Sequence, residues 1–77
     1  MMEKLMSILK ELRPEVDFEK EKSLIDGGIL DSFDLVSLIG ELNESFGIEI
    51  SYDDMEPDNF NSAGQIYEMI VRLQGGE

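Results

Sequence analysis

The fold of this chain is decided by residues 27–48, which read GGILDSFDLVSLIGELNESFGI. Asp31 or Ser32 is suited to cap the start of a helix in this stretch, and Gly47 is suited to end it in the left-handed conformation. The stretch therefore predicts a helix over about residues 32–46. Apolar side chains recur along it at the spacing of one helix face, at Leu35, Leu38, Ile39, Leu42 and Phe46, with Val36 widening the stripe.

Two further helices are predicted, one on either side of this stretch. Residues 2–13 carry an amphipathic pattern that ends at Pro14, because a proline disfavours the helical conformation in the residue before it. Residues 63–73 carry a similar pattern, with Asn61 or Ser62 as the cap. Three good helices with no paired strands indicate an all-α fold.

The connection between the first two helices, residues 14–31, is long for so small a protein. A connection longer than about 12–15 residues is usually functional or held down by its own side chains. We expect Val16 and Phe18 to anchor this loop in the core, and Leu24-Ile25 to form either a further anchor or a turn of helix. Gly27-Gly28 supplies unrestricted backbone just before the second helix.

The connection between the second and last helices is predicted to be irregular. Ile48-Glu49-Ile50 alternates like a strand, but no partner strand is predicted, so we interpret it as an extended link whose isoleucines enter the core. Residues 51–61 are acidic and contain a proline, which predicts a loop with at most one short helical turn ending at Phe60. The expected architecture is one domain over residues 1–77, a small bundle of three main helices and one short helix with a long first loop.

The chain is strongly acidic, with 18 acidic and 6 basic residues among 77 and a formal net charge of −12. Such a field repels nucleic acid and anionic lipid and steers the protein toward basic surfaces of partners. A simpler interpretation is that the acidity only keeps a small protein in solution. No apolar run approaches the about 20 residues of a membrane span, and the charged N-terminal segment does not resemble a secretory signal. We expect a cytoplasmic monomer.

Cysteine and histidine are both absent from the sequence. Their absence removes disulfides, thiolate nucleophiles, imidazole metal ligands and the usual general base. The acidic segments do not fit the calcium loop of an EF-hand, and residues 53–58 indicate at most weak, nonspecific cation binding. We therefore expect no catalytic residue and no metal site.

The residues around Ser32 resemble the attachment signature of acyl and peptidyl carrier proteins. The likeness lies in Gly27-Gly28, in Asp31-Ser32-Phe33 at the start of the helix, and in Phe46-Gly47-Ile48 at its end. It extends over essentially the whole chain, because helix order and loop lengths also match the four-helix bundle of that family. The resemblance implies a carrier that is not an enzyme, and that holds acyl or aminoacyl groups as thioesters on a covalent 4′-phosphopantetheine arm.

In that family the serine takes the arm, so the resemblance places it on Ser32, beside Asp31 of the same motif. The position is chemically reasonable, because the N–H groups and positive dipole end of a helix N-terminus favour the anion of a phosphodiester. The resemblance also implies partners, namely a phosphopantetheinyl transferase and acyl- or amino-acid-activating ligases and synthases with basic patches. The residues it implies in partner recognition are Phe33, Asp34, Glu41, Glu44 and Glu49.

Several positions depart from the commonest pattern of fatty-acid carriers. Phe33 replaces the usual leucine, Ser37 stands where an acid is frequent, and Gly40 stands where a large apolar residue is frequent. Residues 29–32 and 60–62 look more like those of D-alanyl and other aminoacyl carriers, the former serving teichoic acid modification in the cell wall.

The cargo and its pathway are not specified by the sequence, whether fatty acid, polyketide, peptide or D-alanine. A function of another class is an acidic helical interaction module without a prosthetic group, in which Asp31-Ser32 is an ordinary helix cap.

Overall fold

The computed structural model describes residues 2–75, and all regular structure within that range is helical. This confirms the predicted all-α bundle of three long helices and one short helix. The single domain predicted over 1–77 also includes residues 1, 76 and 77, which lie outside the described residues. The elements in chain order are α1 (Met2–Leu12), α2 (Ser32–Phe46), a 3₁₀ turn (Tyr52–Asp54), α3 (Pro57–Phe60) and α4 (Ala63–Leu73).

Helix α1 packs against both α2 and α4, and α3 packs against α4. Each long helix buries one stripe of apolar side chains, as the periodicity of the sequence predicts. The fully buried side chains of the three long helices are Leu5, Leu9, Leu38, Leu42, Ile66, Met69 and Ile70.

Both ends of α2 are closed as the sequence predicts. At the start, the Asp31 carboxylate accepts a hydrogen bond of 2.8 Å from the amide of Asp34, so Asp31 rather than Ser32 is the cap. At the end, Gly47 adopts a φ of 62°, a left-handed conformation that suits glycine. The Lys4 ammonium of α1 donates to the carbonyl oxygen of Ser45 at 2.6 Å, which places a cation at the negative end of the α2 dipole.

The expectation that Val36 widens the buried stripe of α2 is wrong. Val36 is 64% exposed, although it lies near Leu12 of α1 in the groove between the two helices. Phe33 is 82% exposed at the start of the same helix. Helix α2 therefore presents apolar side chains to solvent as well as to the core.

The long first loop is anchored by its own side chains. Phe18 and Leu24 are buried in the core, and Val16 and Ile25 are partly buried against it. Leu24-Ile25 forms a turn rather than a turn of helix. The expected anchoring of the loop is therefore confirmed.

The second connection contains more helix than expected. Ile48 and Ile50 enter the core, as predicted for the extended link. However, residues 51–61 hold two short helical pieces, the 3₁₀ turn and α3, where at most one was expected. At the start of the 3₁₀ turn, the amide and the hydroxyl of Ser51 both donate to the Asp54 carboxylate, at 3.1 and 3.0 Å, a local arrangement that serine and aspartate favour.

Asn61 has a different role from the capping that the sequence suggests for it. Ser62 caps α4, accepting from the amide of Gln65 at 3.1 Å, whereas the buried Asn61 binds the long first loop. The Asn61 side-chain oxygen accepts from the amides of Ile25 and Asp26 at 2.9 and 3.0 Å. Its side-chain nitrogen donates to the Asp26 carboxylate at 3.0 Å. The loop that leads to α2 is thereby fixed to the junction of α3 and α4.

The two glycines before α2 are required for different reasons. A β-carbon at Gly27 would lie 2.6 Å from the Ser23 carbonyl oxygen, which is closer than real β-carbons approach. Gly28 has a φ of 73°, a conformation that side chains rarely adopt. Together they turn the chain from the anchored loop into the start of α2.

Candidate functional site at the start of helix α2

Ser32 is the first residue of α2, and its side chain is exposed to solvent. Its hydroxyl takes no part in capping, since the capping hydrogen bonds run between Asp31 and Asp34. Leu30, two residues before Ser32, is buried in the core, and this fixes the backbone that leads into the helix. The fold therefore presents a primary hydroxyl on a fixed backbone, free to react with an external group.

The amides of the first turn of α2 are only partly used by the cap. Those of Asp34 and Leu35 donate to the side chain and the carbonyl of Asp31. The amides of Ser32 and Phe33 take no part in these bonds, and they belong to the positive end of a 15-residue helix. An anion attached to Ser32 would lie at this end of the helix dipole.

Asp34 would oppose such an anion if its charge were uncompensated, but Arg13 compensates it. The Arg13 guanidinium, just after α1, donates to one Asp34 carboxylate oxygen through Nε at 3.0 Å and Nη2 at 2.7 Å. The Asp34 side chain is 14% exposed, so this ion pair is more shielded than an ordinary surface pair. Arg13 also binds Glu15 at 3.0 Å. Sequence reasoning missed Arg13, because its partner is 21 positions away.

These contacts lower the pKa of Asp34 below the ordinary aspartate value of about 3.9. The main cause is the hydrogen bonding from Arg13, which stabilises the ionised carboxylate, and partial burial opposes it. The same interactions raise the pKa of Arg13. The pKa of Glu15 is lowered by hydrogen bonding to the backbone amide of Glu15 itself and to the Arg13 side chain. At neutral pH the ion pair is fully charged.

The lowered pKa predicts how the Arg13–Asp34 pair responds to acid. The pKa of Asp34 is lower in the folded state than in the unfolded state. The ion pair therefore stabilises the fold fully when the pH is above the unfolded-state pKa, and this stabilisation is lost as the pH falls through the folded-state pKa. We expect the difference in free energy of unfolding between wild type and Asp34→Asn to be constant from neutral pH to about pH 5 and to shrink below about pH 4. Urea unfolding at a series of pH values measures this difference.

The matched control for this experiment is the same comparison in an Arg13→Gln background. There the Asp34→Asn difference should lose most of its pH dependence, because the main cause of the shift has been removed. Comparing pairs of variants cancels the general effect of titrating the other carboxylates of this acidic chain. A difference that stays constant down to about pH 2 would contradict the assignment.

Other serines near helix starts are less suited to carry a group. Ser62 precedes α4, but it is 7% exposed and its hydroxyl is hydrogen bonded to Gln65. Ser51 precedes only the three-residue 3₁₀ turn, and its hydroxyl donates to Asp54 at 3.0 Å. Ser32 differs from both, because its side chain is exposed, its hydroxyl does not cap a helix, and it begins a helix of 15 residues.

The residues predicted to contact partners are not equivalent in the structure. Phe33, Glu41, Glu44 and Glu49 are exposed, so they are accessible to another protein. Asp34 is accessible only in part, because Arg13 occupies its carboxylate. Val36 is accessible as well, and sequence reasoning missed it because its position fits the edge of the apolar stripe.

Between residues 2 and 75, no three Asp or Glu side chains converge in an arrangement that could hold a metal ion. Within the same residues, none of the helices has both the length and the apolar character needed to cross a membrane.

The fold and the site together define a class of protein. A small helical bundle that exposes a serine hydroxyl at the start of a long helix has the geometry expected of a carrier for a covalently attached group. The neighbouring residues fit a phosphodiester, because the helix start supplies amides and Arg13 compensates the nearest carboxylate.

Comparison with known proteins agrees with this class. The family model described as the phosphopantetheine attachment site matches residues 3–70. The chain is 34% identical over 71 residues to the D-alanyl carrier protein of Streptococcus sanguinis (strain SK36), covering 91% of this chain and 90% of the relative. The corresponding protein of Streptococcus suis (strain 05ZYH33) is 33% identical over 72 residues, with 92% and 91% covered. That of Streptococcus mutans serotype c (strain ATCC 700610 / UA159) is 35% identical over 71 residues, with 91% and 90% covered.

The chain therefore belongs to the family of carrier proteins with a phosphopantetheine attachment site. It is a carrier and not an enzyme, and its cofactor is a covalently bound 4′-phosphopantetheine. Membership of this family implies partner synthetases and a transferase that installs the arm. The expectation of a carrier protein, made from the residues around Ser32, is confirmed.

Proposed function

We propose that the chain is a D-alanyl carrier whose 4′-phosphopantetheine arm is attached to Ser32. The exposure of the Ser32 hydroxyl at the N-terminus of α2 is the observation that carries the attachment site. The relatives named as D-alanyl carrier proteins, aligned over nine-tenths of the chain, support the cargo. We further propose that the carrier works as a single-domain monomer in the cytoplasm, where coenzyme A and ATP are available.

The attachment step uses the Ser32 oxygen as a nucleophile. The oxygen attacks the phosphorus of coenzyme A that bears pantetheine, and a new P–O bond forms as the bond to the adjacent phosphate breaks. Adenosine bisphosphate leaves, and the serine proton passes to a base on the transferase, since this chain has no histidine or cysteine to accept it. The free amides at the start of α2 stabilise the resulting anion.

When bound, the arm supplies a thiol that can hold an aminoacyl group as a thioester. The role of this chain is then to display that group and to be recognised. An aminoacyl group keeps a charged ammonium, and placing it in the apolar core of the bundle would be too costly. The core residues, which are 0–9% exposed, already pack against one another, so the protein holds a small charged cargo outside the bundle.

Loading assays test this cargo. We expect the apo-protein to gain the mass of one phosphopantetheine when incubated with coenzyme A, magnesium and a broad-specificity transferase. The holo-protein should then gain the mass of one alanyl group when given ATP, D-alanine and a D-alanine-activating ligase, as measured by intact-protein mass spectrometry. The control reaction offers the same holo-protein to a fatty-acyl-activating enzyme. Loading by that enzyme alone would contradict the D-alanyl assignment while preserving the carrier role.

A further inference from the structure

Asn61, between α3 and α4, is a buried polar residue that is bonded to the long first loop through its whole side chain. It is 7% exposed. Its side-chain oxygen accepts from the amides of Ile25 and Asp26, and its side-chain nitrogen donates to the Asp26 carboxylate. Its backbone carbonyl accepts a fourth hydrogen bond, from the amide of Leu24 at 2.9 Å. One residue therefore holds three consecutive residues of the loop.

The part of the loop that Asn61 holds leads directly to Ser32. The carbonyl of Leu24 accepts a hydrogen bond of 2.9 Å from the amide of Leu30, and both leucines are buried in the core. This bond closes residues 24–30 into a loop whose two ends lie together. The residue after Leu30 is the cap of α2, and Ser32 follows it. The backbone that enters α2 is therefore connected through Leu24 to Asn61.

We propose that Asn61 is a positioning residue for attachment of the arm, because it holds the entry to α2 and thereby fixes the orientation of the Ser32 hydroxyl. This inference rests on the proposed attachment to Ser32. The first residue of a helix is held mainly by its cap and by the incoming chain, since helix ends fray. A small displacement of a reacting atom is enough to slow a reaction greatly. Asn61 acts on Ser32 only through the loop, so it is not a catalytic residue.

The contacts at position 61 require a side-chain amide. The side chain must accept from two backbone amides and also donate to a carboxylate, which asparagine does and aspartate does not. Asn61→Asp keeps the acceptor for the amides but places a second carboxylate against that of Asp26, and like charges at this distance repel. Adding Asp26→Asn exchanges the two roles, because the new side-chain amide can donate to the new carboxylate.

The first test compares Asn61→Ala with Asn43→Ala. Asn43 is the matched control, because its side-chain oxygen accepts from the amide of Ile50 at 2.9 Å and so holds the second connection instead of the first. Each apo-protein is given saturating coenzyme A, magnesium and a broad-specificity transferase, and the rate of arm attachment is measured at increasing carrier concentration. The temperature is one at which circular dichroism shows every variant to be folded.

We expect Asn61→Ala to lower the kcat of arm attachment about tenfold and to change the KM for the carrier less than about twofold. The reason is that the exposed surface of α2 is intact for binding, whereas the hydroxyl is no longer held in one orientation. Asn43→Ala should have the kcat and KM of wild type, although it also loses a hydrogen bond to a loop.

The exchange of partners tests the contact itself and does not depend on the stability of Asn61→Ala. We expect Asn61→Asp to lower kcat about tenfold, and Asp26→Asn to lower it less, because the new side chain still offers an oxygen to Asn61. The double variant should react about fivefold faster than Asn61→Asp or better, because the hydrogen bond is restored with its donor and acceptor exchanged. Two independent effects would instead make the double variant the slowest of the three.

Amide hydrogen exchange provides a measurement other than the attachment rate. In Asn61→Ala, the amides of residues 24–30 should exchange about tenfold faster or more relative to those of α4 than they do in wild type, because this segment opens locally. In Asn43→Ala, the faster exchange should be found around Ile50 and not in residues 24–30.

The outcomes separate this inference from the proposed function. If Asn61→Ala takes the arm with the kcat of wild type, or if Asp26→Asn fails to restore Asn61→Asp, the positioning inference is wrong and the carrier function stands. The inference is also wrong if the whole effect of Asn61→Ala is on KM, because the residue then acts on recognition. If the wild-type protein accepts no arm, the proposed function is wrong.

Discussion

Ser32→Ala should abolish attachment of phosphopantetheine completely. The variant has no hydroxyl at the start of α2, and between residues 2 and 75 no other serine combines an exposed side chain with a position at the first turn of a long helix. Intact-protein mass spectrometry after incubation with coenzyme A, magnesium and a transferase should show one added phosphopantetheine on wild type and none on Ser32→Ala.

Loss of folding would not account for this result. The Ser32 hydroxyl is not the cap of α2, since Asp31 has that role, so the free energy of unfolding should change by no more than about 0.5 kcal/mol. The matched control is Ser37→Ala, a second exposed serine on the same helix, which should accept the arm like wild type. A mass gain on Ser32→Ala would place the arm elsewhere, and peptide mapping of the product would locate it.

Phe18→Ala should have the largest effect on stability. Phe18 is 1% exposed in the core although it belongs to the long first loop, so the substitution leaves a cavity where the loop meets the bundle. Truncating a buried phenylalanine costs about 3–5 kcal/mol, and a domain of this size is stable by only about 3–5 kcal/mol. The variant should therefore be largely unfolded at room temperature, as measured by circular dichroism and urea titration.

Phe33→Ala is the matched control for this change. The substitution is the same, but Phe33 is 82% exposed, so the free energy of unfolding should change by no more than about 0.5 kcal/mol. Phe18→Leu should remain folded with an intermediate loss, because leucine fills much of the same volume. A loss of less than about 1 kcal/mol in Phe18→Ala would show that the loop is not anchored through this side chain.

The local pattern of the sequence was sufficient for most of the fold. The spacing of apolar residues predicted all three long helices, and the cap residues placed both ends of α2. Phe18 and Leu24 were correctly expected in the core. Each of these features depends on residues that are neighbours along the chain, or on the simple requirement that large apolar side chains be buried.

The local sequence did not decide between alternatives where two residues suit the same role, or where one residue suits two environments. Asn61 and Ser62 are both good caps, and the choice depended on whether Asn61 was needed by the long loop, 35 positions away. Val36 fits the edge of the apolar stripe equally well as a buried or an exposed residue. Periodicity gives the direction of a side chain, but not how far the neighbouring helix extends over it.

The start of α2 shows the same division between local and long-range determinants. By itself, the sequence determined a helix that begins near residue 32, a cap at either Asp31 or Ser32, and an acidic surface, because these follow from short-range spacing and composition. Only the tertiary structure decided that Arg13 neutralises Asp34 beside Ser32 and that α1 and α2 enclose a groove at Gly40. The physical reason is that ion pairs and grooves form between surfaces of separate helices, and their register is set by the packing of the core.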